Sequence, residues 1–115
     1  MSEQLWELMR ETMAVRRMAD ELRESDQAGT TTPDREREYR LRRAAVDQRH
    51  LALYPDDADG IAEAQRSAVM LRDHDAVHAS HCGLIPATAP QWVSLDGAAN
   101  YVRQEVAAAA QEGKQ

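Results

Sequence analysis

Apolar residues recur every three or four positions over the first quarter of the chain, which is the spacing of one face of an α-helix. The residues on this face are Leu5, Leu8, Thr12, Val15, Ala19 and Leu22. Ser2 can cap the start of the helix, and a polar turn follows its end. The pattern predicts a first helix from about Glu3 to Asp26, and Trp6, Met9 and Met13 are expected to widen its apolar face.

The second helical pattern is apolar on two opposite sides. Thr32 followed by Pro33 is typical of a helix start, and helical spacing continues to about Tyr54. One side carries Tyr39, Val46 and Leu53, and the other carries Leu41, Ala44, Ala45, Leu51 and Ala52. A helix with two apolar sides is normally packed between two partners. We expect this helix to lie between the first helix and either the third helix or another subunit.

A third helix is predicted from about Asp57 to His81 or Cys82. The acidic residue can cap its start, and Gly83 stands just beyond its end, where glycine is common.

The segment after the third helix contains two prolines between Leu84 and Val93, so we expect an extended crossover that lies over the core. Ser94 can then cap a last helix from about Leu95 to Gln111. The sequence therefore predicts an all-α, four-helix bundle-like fold. It has a long N-terminal helical hairpin and a proline-containing crossover, and it forms a single domain over residues 1–115.

The core that this pattern can build is thin. The 115 residues include nine leucines, seven valines, two isoleucines and no phenylalanine. A small domain with few large apolar side chains commonly gains buried surface from a neighbouring chain. We expect a homodimer formed through the apolar faces of the first two helices, and a different protein partner is the open alternative. The candidate contact residues are Tyr39, Val46, Leu53 and Trp92.

Charge argues against a nucleic-acid partner. Twenty acidic and fourteen basic residues give a formal net charge of −6, which repels a phosphate backbone. The second helix is rich in arginine, but acidic residues are interleaved with the arginines, which predicts a solvated and ion-paired surface. These arginines are Arg35, Arg37, Arg40, Arg42, Arg43 and Arg49.

Cysteine content and hydropathy predict a cytoplasmic protein without membrane association. A single cysteine leaves no intramolecular disulfide framework, and the first residues lack the basic and apolar regions of a signal peptide. No apolar run approaches the length that spans a bilayer.

Potential chemistry concentrates between Asp73 and Cys82, which holds three of the four histidines and the only cysteine. On one helix, His74 and His78 would be neighbours at i,i+4, and imidazole, thiolate and carboxylate groups are all zinc ligands. His81 would lie roughly 10 Å from His74 along the axis, so a second helix would have to complete a metal site. The candidate ligands are His74, His78, His81, Asp75 and, from the second helix, His50. The alternative is that the last two histidines simply favour the carbonyl end of the helix dipole.

His50, the adjacent pair His74 and Asp75, and Asp96 occur in the order H, HD, D. This order resembles the metal-dependent HD-domain phosphohydrolases, an all-helical family. The resemblance implies that these four residues bind one or two divalent metals, which activate water against a phosphate ester. It covers those residues and the short apolar approach Val69-Met70-Leu71.

These observations favour a small non-catalytic helical interaction or regulatory module that self-associates without a cofactor. The alternative is a protein that binds a divalent metal, either a metal or pH sensor or an HD-like phosphohydrolase. The chain contains no nucleophile-elbow motif and no phosphate-binding glycine loop. Cys82 is expected to be a small buried packing residue, because a helix C-terminus disfavours a thiolate.

Overall fold

Four α-helices and one short 3-10 helix form the fold in the computed structural model, which describes residues 2–112. The helices are α1 (Glu3–Gln27), α2 (Pro33–Leu53), α3 (Ala58–His78) and α4 (Leu95–Glu112), and the 3-10 helix spans Pro90–Trp92. No strand occurs within residues 2–112. The predicted all-α architecture with four helices is confirmed. None of the helices over this range is both long and apolar enough to cross a bilayer.

Three helices start at the capping residues that the sequence offers. Ser2, Thr32 and Ser94 each accept a hydrogen bond from the backbone N–H three positions later, at 3.2, 3.3 and 2.9 Å. Each bond satisfies one of the N–H groups that the first turn of a helix leaves unpaired. Local side-chain chemistry therefore fixes where α1, α2 and α4 begin.

The end of α3 differs from the prediction. The helix stops at His78, and Ala79 takes the left-handed conformation with φ of 51°. The N–H groups of Ala79 and of the next residue both donate to the carbonyl of Asp75, which closes the helix end. The expected end was wrong because alanine, and not the glycine further along, occupies the left-handed position. His81 and Cys82 consequently lie in the loop after α3.

Both apolar sides of α2 are covered within the chain. On one side, Val46 packs with Leu8 and Val15 of α1. On the other side, Ala44 joins a larger cluster contributed by α3, α4 and the crossover. The buried members of this larger cluster are Ala44, Ala68, Leu71, Ala87, Trp92, Ala98, Tyr101 and Val102. The second partner of α2 is therefore supplied by the same chain, chiefly by α3.

The crossover lies over the core between α3 and α4, as expected, but it consists of turns and the 3-10 helix Pro90–Trp92 and is not extended throughout. Trp92 is only 6% exposed, and its indole Nε1 donates to the carbonyl of Pro86 at 3.0 Å. Its ring meets Tyr101 edge-on, with ring centroids 5.7 Å apart. Gly97 allows this close approach, because a Cβ atom there would lie 2.9 Å from the backbone of Trp92.

Candidate functional site

A shallow depression between α2 and α3 brings two of the predicted metal ligands together. Its volume is about 340 Å³, and it is lined by Glu36 and Arg40 of α2 and by His74 and His78 of α3. Met70, Asp73 and Val77 complete the lining. The imidazole rings are 4.4 Å apart between centroids and tilted by 42°, which is the adjacency expected from their i,i+4 spacing. We call this feature the histidine depression.

Two nitrogen atoms of the histidine depression are buried without a hydrogen-bond partner among the described residues. They are Nε2 of His74 and Nε of Arg40. His74 is 8% exposed, and burial together with the neighbouring His78 lowers its pKa, so the ring is neutral near pH 7. Arg40 donates to Glu36 at 2.7 Å, and this bond lowers the pKa of that carboxyl group. The depression is therefore lined by a neutral imidazole whose enclosed Nε2 has no partner in residues 2–112.

The other three predicted metal ligands lie elsewhere. His50 pairs with Asp57 at 2.9 Å, which lowers the pKa of the aspartate. Asp75 is buried in the core, and His81 lies in the loop after α3. Over residues 2–112, no three His, Cys, Asp or Glu side chains are arranged to hold a metal ion. The five-residue metal site is thus not assembled, and His74 with His78 is the pair that remains adjacent.

The residues that resemble the HD-domain pattern are also dispersed. His50 is engaged by Asp57, Asp75 is engaged by Arg37, and Asp96 is exposed in the first turn of α4. Successive side chains on a helix point about 100° apart, so His74 faces the depression while Asp75 faces the core. The order of these residues in the sequence does not produce a common site.

A buried ion cluster joins α2, α3 and α4. Arg37 binds Asp75 with two hydrogen bonds, from Nε to Oδ1 at 2.9 Å and from Nη2 to Oδ2 at 3.1 Å. The same Nη2 donates to Glu105 Oε1 at 2.6 Å, and the hydroxyl of Tyr101 donates to Asp75 at 2.5 Å. Both carboxylate side chains are fully buried. We call Arg37, Asp75, Tyr101 and Glu105 the Arg37 cluster.

The Arg37 cluster also holds the loop after α3. Glu105 accepts the N–H groups of Cys82 at 2.6 Å and Gly83 at 2.8 Å, and Ser80 donates its hydroxyl to Asp75 at 2.8 Å. These donors offset the negative charge in excess of the single guanidinium. Gln104 supplies the eighth hydrogen bond, so each of the four carboxylate oxygens accepts two. The carboxylate oxygens of the Arg37 cluster are therefore fully hydrogen-bonded within the protein, which indicates a structural role.

The surroundings of Arg37 and Tyr101 keep both side chains in the protonation states that form these hydrogen bonds. Burial is the largest single influence and opposes the charge of Arg37, but hydrogen bonding to Asp75 and the negative charges of Asp75 and Glu105 together outweigh it and raise the arginine pKa. Burial and the same carboxylate raise the pKa of Tyr101, so its hydroxyl remains a proton donor. The guanidinium therefore stays charged and the phenol stays neutral over the physiological range.

Sequence reasoning missed this cluster. Arg37 was assigned to a solvated surface, and Glu105 was not singled out. The sequence did contain a signal for it: an acidic residue interrupts the apolar face of each of two helices, Asp75 on α3 and Glu105 on α4. The expectation of a buried Cys82 was also wrong, since its side chain is exposed; the backbone N–H of Cys82 is the group that the core uses.

The four predicted interaction residues do not form a surface. Val46 and Trp92 are each 6% exposed and pack inside the chain, and Tyr39 is half-buried against the cluster between α1 and α2. Leu53, at the end of α2, is 36% exposed. Val46 and Trp92 are therefore core residues, because helices of the same chain cover the faces that another subunit was expected to cover.

Trp6, Met9 and Met13 were expected to widen the packed apolar face of α1, and this expectation is wrong. Trp6, Met9 and Met13 are 50%, 43% and 61% exposed. Their spacing of three and four residues places them in one strip of the helix surface. Leu8 and Val15, on another strip, contact α2 instead. We call Trp6, Met9 and Met13 the apolar row.

Comparison with known proteins adds no relative from which a function could be transferred. No family model matches the chain, and neither a curated protein nor a solved structure matches it significantly. The likeness to the HD-domain phosphohydrolases thus remains limited to the order of four residues.

Proposed function

We propose that this protein is a small non-catalytic interaction module that self-associates through α1. The apolar row is the observation that carries the proposal. It places a tryptophan and two methionines on solvent-facing helix surface, and aromatic and methionine side chains are enriched at protein interfaces. Burying such side chains against a partner removes apolar area from water, which favours association.

Among the described parts of the helices, α1 exposes the largest group of large apolar side chains, three, against two on α3 and one each on α2 and α4. Both apolar sides of α2 are already occupied, whereas α1 packs mainly on α2 alone. The self-association that we propose therefore uses the outward strip of α1 instead of the Tyr39, Val46, Leu53 and Trp92 surface that we first expected.

Two methionines of equal exposure provide the test. Met9 in the apolar row and Met70 on α3 are both 43% exposed. We expect multi-angle light scattering at micromolar to millimolar concentrations to show the mass of the native protein rising from one copy toward two. Met9→Glu should hold the mass at one copy, and Met70→Glu should behave like the native protein. A native mass of one copy at every concentration, or equal effects of the two variants, would contradict the proposal.

A metal or pH sensor at the histidine depression is the second candidate. The buried ring of His74 beside His78 favours it, because its Nε2 has no hydrogen-bond partner in residues 2–112. A proton added to this ring is a buried charge that destabilises the fold, whereas a metal ion would supply the missing partner. Two adjacent imidazoles can hold zinc when water or an outside group supplies the other ligands.

The lowered pKa of His74 sets the direction in which protein stability should change with pH. The unfolded chain takes up the proton of His74 first as the pH falls below about 6.5, because the pKa is lower in the folded protein. Stability therefore declines below that pH until folded His74 is itself protonated. His74→Gln should remove this part of the decline in urea unfolding between pH 7.5 and 5, while Met70→Gln in the same depression should keep it. Identical pH profiles for all three proteins would rule out the proton-sensing role.

Metal binding is tested separately by titrating zinc into the protein in a calorimeter. We expect His74→Gln to abolish a zinc signal that His81→Gln retains. Loss of the signal in both variants, or no signal in the native protein, would remove the metal-sensing role.

A further inference from the structure

A groove between α1 and α2 is rich in arginine. Its volume is about 600 Å³, and Arg10 of α1 lines it together with Arg42 and Arg49 of α2. Glu7 and Glu11 of α1 also line it, and Glu11 is paired with Arg49 at 3.3 Å. Arg10, Arg42 and Glu7 take part in no ion pair within residues 2–112. The unpaired charges of the groove therefore sum to one positive charge.

Arg42 has a poor hydrogen-bond partner for a half-buried charge. Its Nη1 donates to the thioether Sδ of Met18 at 3.4 Å. A thioether sulfur is a weak acceptor, whereas a guanidinium bonds most strongly to anionic oxygen. Four other arginines of α2 each reach a carboxylate, namely Arg37, Arg40, Arg43 and Arg49. An anionic ligand would give Arg42 the kind of partner that these four already have.

An apolar extension continues the groove toward the end of α2. Its volume is about 350 Å³, and Leu8, Ala52 and Leu53 line it. Glu7 and Arg49 line both parts, so the two parts adjoin. Ala52 follows Arg42 by ten positions, which corresponds to about 15 Å along the axis of α2. We call the two parts together the hairpin groove, which is basic at one end and apolar at the other.

We propose that the hairpin groove binds an amphipathic carboxylate, a small organic anion with an alkyl tail such as a medium-chain fatty acid. Its carboxylate lies between Arg10 and Arg42, because guanidinium groups bind carboxylates with charge-assisted hydrogen bonds. Its tail lies against Leu8, Ala52 and Leu53, where apolar surface leaves water. The apolar row lines no part of the groove, so this binding does not require the proposed self-association.

The charge and the shape of the groove together select this class of ligand. One carboxylate balances the single positive charge left by Arg10, Arg42 and Glu7. An inorganic anion would gain nothing from the apolar extension, and an alkyl cation would carry the wrong sign for the arginines. Half of the Arg49 side chain is exposed, so the groove is open to water. We therefore expect a dissociation constant of order 100 µM.

Calorimetric titration with fatty acids of increasing length gives the first test. Each is used below the concentration at which it forms micelles, so that a single molecule and not a lipid surface is the ligand. Binding should tighten about twofold to fourfold with each methylene from hexanoate to decanoate. Decyltrimethylammonium, with the same tail and a positive head, should bind about tenfold more weakly than decanoate. Equal binding of the two amphiphiles, or affinity that does not change with tail length, would overturn the proposal.

Two arginines of α1 give a matched pair of variants. Arg10 and Arg16 are both exposed and take part in no ion pair within residues 2–112, but only Arg10 lines the hairpin groove. Arg10→Gln should weaken decanoate binding about threefold to fivefold, whereas Arg16→Gln should leave it unchanged. Glu7→Gln should tighten binding about threefold, because it removes a repelling carboxylate. Equal effects of the two arginine variants would contradict the proposed place of the ligand.

Arg42→Gln and nuclear magnetic resonance test the centre of the argument. Arg42→Gln removes the half-buried charge and should weaken decanoate binding about tenfold. In the native protein, decanoate should shift the amide resonances of residues 7–11 and 49–53 and leave those of α3 in place. This spectrum localises the ligand without any substitution, so the test stands even if Arg42→Gln does not fold. Shifts centred on α3, or no shifts at all, would rule out the hairpin groove as the site.

Discussion

The helices α2, α3 and α4 and the crossover form the body of the fold, in which large side chains and two carboxylates are fully buried. By contrast, α1 contacts this body chiefly where its Leu8 and Val15 pack on Val46 of α2. The two regions also differ in what they expose. The body hides charge, as Asp75 and Glu105 show, whereas α1 leaves half of the surface of Trp6 in water.

Specificity of folding and association therefore depend on different regions. Buried charges fix one arrangement of α2, α3 and α4, because each carboxylate needs its particular donors. An α1 helix with a few buried contacts and an exposed apolar row stabilises the monomer little, and it retains surface that a partner can bury. Substitutions in the body should therefore act on folding, and substitutions on the outward strip of α1 should act on association.

Substitutions in the Arg37 cluster should lower the stability of the fold most. Glu105→Ala leaves Arg37 with one carboxylate and leaves the N–H groups of Cys82 and Gly83 without an acceptor. We expect the free energy of unfolding to fall by about 3–5 kcal/mol in urea titrations monitored by circular dichroism. Glu38→Ala, at an exposed position of α2, serves as the control and should change stability by less than about 0.5 kcal/mol. Equal losses of stability for the two variants would show that the Arg37 cluster does not stabilise the fold.

The two tryptophans compare the regions directly. Trp92→Ala removes a buried ring that contacts Tyr101, and it should cost about 3–5 kcal/mol. Trp6→Ala removes a half-exposed ring and should cost less than about 1 kcal/mol in dilute protein, where one copy prevails. Its effect should appear instead in the dimer constant. A large loss of monomer stability in Trp6→Ala would mean that the outward strip of α1 belongs to the core.

The regular parts of the fold could be predicted from the sequence because they depend on local chemistry. Ser2, Thr32 and Ser94 cap helices through their own hydroxyl groups, and the neighbouring residues carry the information. The two apolar faces of α2 likewise indicated a helix packed on both sides. Which chain supplies the second partner is a property of tertiary packing, and the pattern alone left it open.

The sites could be predicted only in part because they depend on partners distant along the chain. His74 and His78 are adjacent by helical spacing, so their contact followed from the sequence. The bond between Arg37 and Glu105 joins residues 68 positions apart, and nothing local distinguishes Arg37 from the solvated arginines around it. The assignment of Met9 to the packed face failed for a related reason, since apolar character does not show which strip of a helix has a neighbour.

The ends of α1 and α3 differ in which residue adopts the left-handed backbone conformation. Gly29 follows α1 in the left-handed conformation with φ of 71°, whereas Ala79 holds the corresponding conformation after α3. Alanine carries a steric cost there that glycine avoids. Ala79→Gly should therefore raise stability by about 1 kcal/mol, and Gly29→Ala should lower it by about the same amount. Thermal unfolding of the two single variants provides the measurement, and a shift in the same direction for both would contradict this account.

The smallest expected effect is at the ion pair that joins α1 to α2 at the surface. Arg49 approaches Glu11 at 3.3 Å, with half of the arginine side chain exposed. Water and salt screen such a pair, and holding two long side chains in place costs entropy. A double-mutant cycle with Arg49→Ala and Glu11→Ala should give a coupling free energy of about 0.2–1 kcal/mol that fades in 1 M salt. The same cycle on Arg37 and Glu105 should give a larger coupling that salt hardly changes, because those charges are shielded from solvent ions. Similar couplings with similar salt dependence would remove the distinction between a body held by buried charge and an α1 helix held by a few apolar contacts.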